Sequence, residues 1–156
     1  MRGPARSVRW AVRTAWSVIG IAAPFVWVGM VAAISFIEAP LKFRAPGVSL
    51  PIGLGIGRLV FRALNLAEVG LAGLLTVACA ALGPPWATWA LLGVVWSLLA
   101  VQLGVLRPQL DRRARVIIGG GTPPASRRHL AYVALEVVKI PLLVVLGASL
   151  ATAVLP

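Results

Sequence analysis

The sequence predicts an all-α integral membrane four-helix bundle, and three observations support this fold class. First, 60% of the 156 residues are hydrophobic, and the mean hydropathy of +0.94 is typical of membrane proteins. Second, four apolar stretches are each about 20 residues or longer, which is enough to cross a hydrocarbon core about 30 Å thick. Third, Gly/Pro-rich or basic segments separate these stretches. We expect one transmembrane domain covering residues 1–156.

The first span is expected to be an uncleaved membrane helix over about residues 15–37. It follows a basic N-terminal segment, residues 1–13, that contains four arginines and resembles the basic region of a signal peptide. A removable signal has an apolar core of only about 7–15 residues. The stretch behind residue 13 is longer, so retention in the membrane is predicted.

A Gly/Pro-rich connector, residues 38–56, precedes the second span at about 57–82. Gly53, Gly55 and Gly57 alternate here, but a phosphate-binding loop also needs a preceding strand and a P-loop lysine or a Rossmann context. The sequence offers none of these, so a connector or a short re-entrant turn is predicted.

The third span is predicted at about 86–106, directly after the uncharged turn Gly83-Pro84-Pro85. A basic connector, residues 107–126, follows it and contains three consecutive glycines and two consecutive prolines, which interrupt helices. Ser126 is a suitable N-cap residue for the fourth span at about 127–154.

Four spans place both termini on one side of the membrane and the two long connectors on the other, which we call the basic side. Ten Lys or Arg residues belong to the basic side and four to the terminal side. The positive-inside rule therefore predicts that connectors 38–56 and 107–126 are cytoplasmic. Arginine greatly outnumbers lysine and Ala, Gly, Val and Leu dominate, which indicates a bacterial chain and hence the inner (plasma) membrane.

The net charge of +11 does not indicate a nucleic-acid partner, because the basic residues lie in connectors and at helix ends. Their expected partners are anionic lipid headgroups, each worth about 1 kcal/mol near the surface. A homo-oligomer or a larger membrane complex is a further possible assembly. The single cysteine, Cys79, excludes an intramolecular disulfide.

Polar residues recur at helical spacing on spans two and four, and we call this pattern the polar seam. Both spans start from the basic side, and Glu68 and Lys139 each lie roughly 15 Å deep at 1.5 Å per residue. Charges at this depth are costly and need partners. The sequence therefore predicts that spans two and four pack side by side, with Glu68 pairing with Lys139 and Glu136 held by Asn65 and Arg62. The candidate site comprises Arg62, Asn65, Glu68, His129, Tyr132, Glu136 and Lys139.

Two interpretations of the polar seam stay open. In the first, the seam is a structural clasp in an accessory membrane protein. In the second, Glu136 and Glu68 belong to a proton- or cation-coupled path in a small oligomeric transporter or channel, because intramembrane ionisable residues are candidates for function. No catalytic triad or metalloprotease motif is present, so no enzyme is predicted. His129 is the only histidine, so no metal or cofactor is predicted.

Several short motifs are spread over most of the chain. They are Trp27-Val-Gly29, Glu38-Ala39-Pro40 with Phe43, Gly57-Arg58-Leu-Val-Phe61, Arg107-Pro108-Gln-Leu-Asp111-Arg112, and Ser126 with His129. The combination resembles small four-helix membrane proteins classed as a domain of unknown function, with bacterial and animal members. It is also faintly similar to the membrane domain of copper-resistance D proteins. The resemblance implies a four-helix membrane fold, but the paired His or Met residues of copper handling are absent.

Overall fold

The structure, a computed structural model, describes residues 4–124 and 126–154 and is all-α over these residues. It contains four helices that are long and apolar enough to cross a membrane, which confirms the predicted fold class. We label them α1 to α4, and the segments with this length and apolar character are Val8–Arg44, Leu50–Leu82, Trp86–Ile118 and Arg128–Val154.

Two of the four helices are composite. α1 consists of the α-helix Pro4–Val31, the π-helix Ala32–Glu38, the α-helical turn Ala39–Leu41 and the 3₁₀ turn Lys42–Arg44. α3 consists of the α-helix Trp86–Val101, the π-helix Gln102–Leu106 and the α-helix Arg107–Ile118. α2 (Leu50–Leu82) and α4 (Arg128–Val154) are α-helical throughout.

Each π-helical segment lies in the half of the bundle near the basic side and ends just before a proline, Pro40 in α1 and Pro108 in α3. A proline has no N–H to donate to the carbonyl four residues earlier. The backbone instead bonds across a wider turn, as when the Arg107 N–H donates to the Gln102 carbonyl. Wide turns of this kind occur frequently at functional sites, and the one in α3 begins at a buried glutamine.

The predicted connector 38–56 is wrong in extent, because helix occupies most of it. α1 continues to Arg44 and α2 already begins at Leu50, so only residues 45–49 connect them. Gly47, with φ of 79°, makes the turn in a left-handed conformation that favours glycine. The glycines that suggested a loop belong to the first turns of α2.

Those glycines allow α1 and α2 to approach closely. A Cβ on Gly53 would lie 2.2 Å from the Phe43 ring, and one on Gly57 would lie 2.9 Å from Lys42 Nζ. At both positions, a side chain from the end of α1 occupies the space that a Cβ would need. Any residue larger than glycine would displace that side chain. The alternating glycines have a packing role that their spacing alone did not indicate.

The predicted connector 107–126 is also mostly helical, because Arg107–Ile118 continues α3 beyond the predicted end at residue 106. The chain turns at Gly119–Thr122, where Gly120 has a φ of 84°. Ser126 Oγ accepts a hydrogen bond from the Arg128 N–H at 3.3 Å, in agreement with the predicted N-cap.

The four helices form a ring in which α1 and α3 each pack against both α2 and α4. α2 and α4 consequently lie diagonally opposite, which corrects the prediction that they pack side by side. The contact between α1 and α4 is close, since a Cβ on Gly147 would lie 2.8 Å from the Phe25 ring. The diagonal arrangement directs the polar residues of α2 and α4 toward the bundle axis, where side chains from all four helices meet.

A buried polar cluster as the candidate functional site

Polar side chains from all four helices meet at the centre of the bundle, and we call this group the central cluster. Its members are Trp27 of α1, Glu68 of α2, Gln102 of α3, and Glu136 and Lys139 of α4. Each of the five has 0% of its surface exposed. Because polar groups away from water are costly unless they are hydrogen-bonded, the bonds within this group determine its chemistry.

Lys139 lies in the middle of the central cluster. Its ammonium group donates to Glu68 Oε1, to Gln102 Oε1 at 2.8 Å and to Glu136 Oε1 at 3.3 Å. A lysine ammonium has three N–H donors, so all three are used. The ion pair of Lys139 with Glu68 is the one that the sequence predicted.

Gln102 and Trp27 complete the hydrogen bonding around the ionic residues. Gln102 accepts from Lys139 through Oε1 and donates through Nε2 to Glu136 Oε1 at 2.7 Å. Trp27 Nε1 donates to Glu68 Oε1 at 2.8 Å, and its ring centre lies 5.8 Å from Lys139 Nζ. Trp27 therefore joins α1 to α2 through Glu68, and Gln102 joins α3 to α4 through Glu136. Lys139 connects these two pairs of helices, because it donates to both Glu68 and Gln102.

The ionic groups of the central cluster are unequal in number. Two carboxyl groups, Glu68 and Glu136, surround one ammonium, Lys139. Within the described residues, the second oxygen of each carboxyl, Oε2, is buried and has no hydrogen-bond partner. With both carboxyls ionised, the cluster would hold one uncompensated negative charge in a site without exposed surface.

Asn65 and Tyr132 form a second polar contact, one helical turn nearer the basic side. Tyr132 donates its hydroxyl to Asn65 Oδ1 at 3.0 Å, and its ring meets Phe61 edge-on at 5.8 Å between centres. Both residues of the hydrogen bond are buried. His129 is exposed and lies at the rim of a cavity above Tyr132.

The predicted environment of Glu136 is wrong in both of its partners. Asn65 bonds to Tyr132, while Glu136 accepts from Gln102 and Lys139. Side chains on a helix lean toward its N-terminus, so the head of Lys139 reaches back to the level of Glu136. The prediction placed each head group at the depth of its own Cα and did not allow for this.

Arg62 does not belong to the central cluster. It precedes Glu68 by six residues, which at about 100° per residue places it about 120° away around α2. It is exposed, and among the described residues it makes no hydrogen bond or ion pair. The positive charge that the prediction assigned to Glu136 is therefore on the outside of the bundle.

The prediction also missed two members of the central cluster, Trp27 and Gln102. Gln102 is the most polar residue of an otherwise apolar third span. A search for polar residues in every span, and not only in the two charged ones, would have found it. Trp27 carries a weaker signal, because tryptophan is common in apolar helices and only its buried N–H requires a partner.

The Lys139 ammonium occupies the position between Glu68 Oε1, Gln102 Oε1 and Glu136 Oε1. Over the residues that the structure describes, no three His, Cys, Asp or Glu side chains converge as metal ligands. No family model, curated protein or solved structure matches this chain.

Proposed function

We propose that the chain is a small integral membrane protein whose central cluster holds one exchangeable proton, and that an oligomer of it supports proton-coupled transport. The observation that carries this proposal is the ratio of two buried carboxyls to one buried ammonium. An uncompensated buried charge costs several kcal/mol, and a carboxyl avoids that cost by binding a proton. The proposed activity is binding and movement of a proton, not catalysis.

Glu136 is the proposed proton carrier of the two glutamates. Glu68 Oε1 accepts from the Lys139 ammonium and from the Trp27 N–H, which together stabilise its charged form. Glu136 Oε1 accepts from the neutral Gln102 amide and lies farther from Lys139, at 3.3 Å. The glutamate with the weaker compensation is the one that takes the proton.

The route proposed for the proton runs from the basic side through Tyr132 to Glu136. Tyr132 precedes Glu136 by one helical turn and lies at the floor of the cavity on that side. A hydroxyl both donates and accepts, so it can pass a proton between water in the cavity and a buried carboxyl. Four helices are few for a complete path across the membrane, which is why the proposal includes an oligomer.

Infrared spectroscopy provides the direct test. The chain has only four acidic side chains, so the C=O stretch of a protonated carboxyl is readily assigned. In protein labelled with ¹³C-glutamate at neutral pH, we expect one protonated glutamate band. Glu136→Gln should remove the band, because the amide cannot hold the exchangeable proton.

Glu38→Gln is the matched control, because Glu38 is a partly exposed glutamate that pairs with Lys42 at the basic side. We expect this variant to retain the band. A wild-type spectrum without a protonated glutamate, or a band that survives Glu136→Gln, would refute the proposed carrier. Proton flux into proteoliposomes that is equal for wild type and Glu136→Gln would refute the transport role.

A structural clasp in an accessory protein is the second candidate function, and it is favoured by the contribution of a side chain from every helix to one cluster. The two candidates differ in how Glu136→Gln behaves. A clasp predicts a lower melting temperature in detergent and no flux in the wild type. Proton coupling predicts a folded variant that has lost its flux.

We further propose that the basic side is cytoplasmic and that both termini are external, in a bacterial inner membrane. The end of α1, the start of α2, the Arg107–Ile118 helix and the start of α4 carry the basic residues of this side. Reporter fusions after residue 120 and after residue 154 should therefore give opposite locations, with the first one cytoplasmic. A cytoplasmic reporter at residue 154 would reverse the orientation.

A further inference from the structure

A cavity of about 550 Å³ lies at the basic side, between the ends of all four helices. Its floor is formed by Phe61 and Tyr132, and its walls come from α1, α2 and the Arg107–Ile118 helix of α3. The volume falls within the range of roughly 300–1,000 Å³ that small-molecule sites occupy. The proposed proton route involves only the floor of this cavity, and the residues of its walls have no role in that route.

The walls are positively charged. Four cationic side chains line the cavity, and in the described chain Asp111 is the only carboxylate among the lining residues. The four are Lys42, Arg58, Arg107 and Arg113. Glu38, just outside, pairs with Lys42 at 3.2 Å. Four positive charges against two carboxylates leave a net charge of +2 around the cavity, and Arg58 and Arg107 both depend on Asp111.

Arg58 and Arg107 share one carboxylate at distances longer than a good hydrogen bond. Arg58 Nε lies 3.6 Å and Arg107 Nη2 lies 3.4 Å from Asp111 Oδ1. Arg107 Nη2 also donates to the Arg58 carbonyl at 2.7 Å. Within the described structure, Arg58 Nε and Asp111 Oδ1 are both buried and neither has a hydrogen-bond partner. A buried donor without an acceptor is costly, so a ligand that supplied an acceptor here would gain free energy.

The rest of the lining is mostly apolar and aromatic. The centre of the Phe61 ring lies 5.5 Å from Lys42 Nζ and 5.8 Å from the Arg107 guanidinium carbon, and the centre of the Phe43 ring lies 5.7 Å from Lys42 Nζ. Leu54 and Leu110 extend this apolar surface. The cavity thus combines unsatisfied positive charge with walls suited to hydrocarbon.

We propose that the cavity binds one amphiphilic anion, with a phosphate or carboxylate head against Arg58 and Arg107 and an apolar body along Phe61 and Phe43. Guanidinium groups match the planar or tetrahedral oxygens of such heads with paired hydrogen bonds. The head can belong to an anionic membrane lipid or to a soluble amphiphile, since both carry the same chemistry. The proposal is independent of the proton on Glu136, because its residues lie above the Tyr132 floor.

The test uses delipidated full-length protein in a neutral maltoside detergent. Phosphatidylglycerol and dodecyl phosphate should each raise the melting temperature, because a ligand that binds only the folded state stabilises it. Phosphatidylcholine and dodecyltrimethylammonium should not. Arg58→Gln should weaken the binding of either anion about tenfold or more, as expected for a lost hydrogen bond to a charged group.

Arg115→Gln is the matched control, since Arg115 is an exposed arginine of the same basic side that does not line the cavity. It should leave binding unchanged. Leu54→Trp should block the cavity without altering its charge, and it supplies a second variant if Arg58→Gln folds poorly. Glu136→Gln should bind the anions normally, which separates this proposal from the proton site.

A response to both anions would identify the charged head as the recognised group, and a response to phosphatidylglycerol alone would identify a lipid as the ligand; both results support the proposal. Equal weakening by Arg58→Gln and Arg115→Gln would overturn it, because the anions would then bind the general basic surface. Equal stabilisation by phosphatidylcholine, or anion binding unaffected by Leu54→Trp, would overturn it as well.

Discussion

Lys139→Met is expected to cause the largest loss of stability of any single substitution in the bundle. It removes the only ammonium of the central cluster and leaves two carboxyls, Glu68 and Glu136, without a counter-charge. Removing one partner of a buried ion pair costs about 3–5 kcal/mol. We expect a large fall in the melting temperature in detergent, or loss of the folded protein from the membrane.

The double variant Lys139→Met, Glu68→Gln should recover much of the lost stability, because it leaves one buried carboxyl that can bind a proton. Arg62→Met is the control for removal of a positive charge at a neighbouring position, and it should be close to neutral because Arg62 is exposed. A Lys139→Met variant that melts like Arg62→Met would show that Lys139 does not compensate the cluster.

The fold class was predictable because it depends on hydropathy summed over long segments. Four runs of apolar residues specify four membrane-length helices whatever their neighbours do. The helix ends were less predictable, because Gly and Pro occur both in loops and within membrane helices. Gly53 and Gly57 indicate a loop by composition, but both lie in the helix α2. Because they have no Cβ, the side chains of Phe43 and Lys42 can pack against them.

The ion pair of Glu68 with Lys139 was predictable from depth, because an ionisable residue in the middle of a span needs a partner at the same level. The hydrogen-bond partners of Glu136 were not predictable in this way. Its partners depend on which helices are diagonal, on the direction in which long side chains lean, and on the angle of Arg62 around α2. These are properties of the packed bundle, and the sequence alone leaves them undetermined.

The position of Arg62 decides which interpretation of the site the structure favours. With Arg62 beside Glu136, the seam would have held equal numbers of buried positive and negative groups, which suits a clasp. With Arg62 exposed, the described cluster has one carboxyl more than it has cations. The excess carboxyl is the group proposed to hold the proton, and so the position of one arginine separates the two interpretations.

Gln102→Leu is expected to be the second most damaging substitution. The leucine has a similar size but can neither accept from Lys139 nor donate to Glu136, so two buried hydrogen bonds are lost. A hydrogen bond to the charged Lys139 contributes about 1.5–3 kcal/mol, and one to a protonated Glu136 contributes about 0.5–1.5 kcal/mol. We expect a loss of stability on the order of 2–5 kcal/mol, measured as a lower denaturation midpoint.

Ser97→Ala is the control on the same helix, because Ser97 is exposed and its hydroxyl donates only to the Gly93 carbonyl of its own helix. It should be close to neutral. Gln102→Glu should be milder than Gln102→Leu, since a protonated carboxyl can replace both bonds of the amide. If Gln102→Leu were as stable as Ser97→Ala, α3 would not take part in the cluster. The polar contacts would then join only α1, α2 and α4, and Glu136 would have no partner other than Lys139.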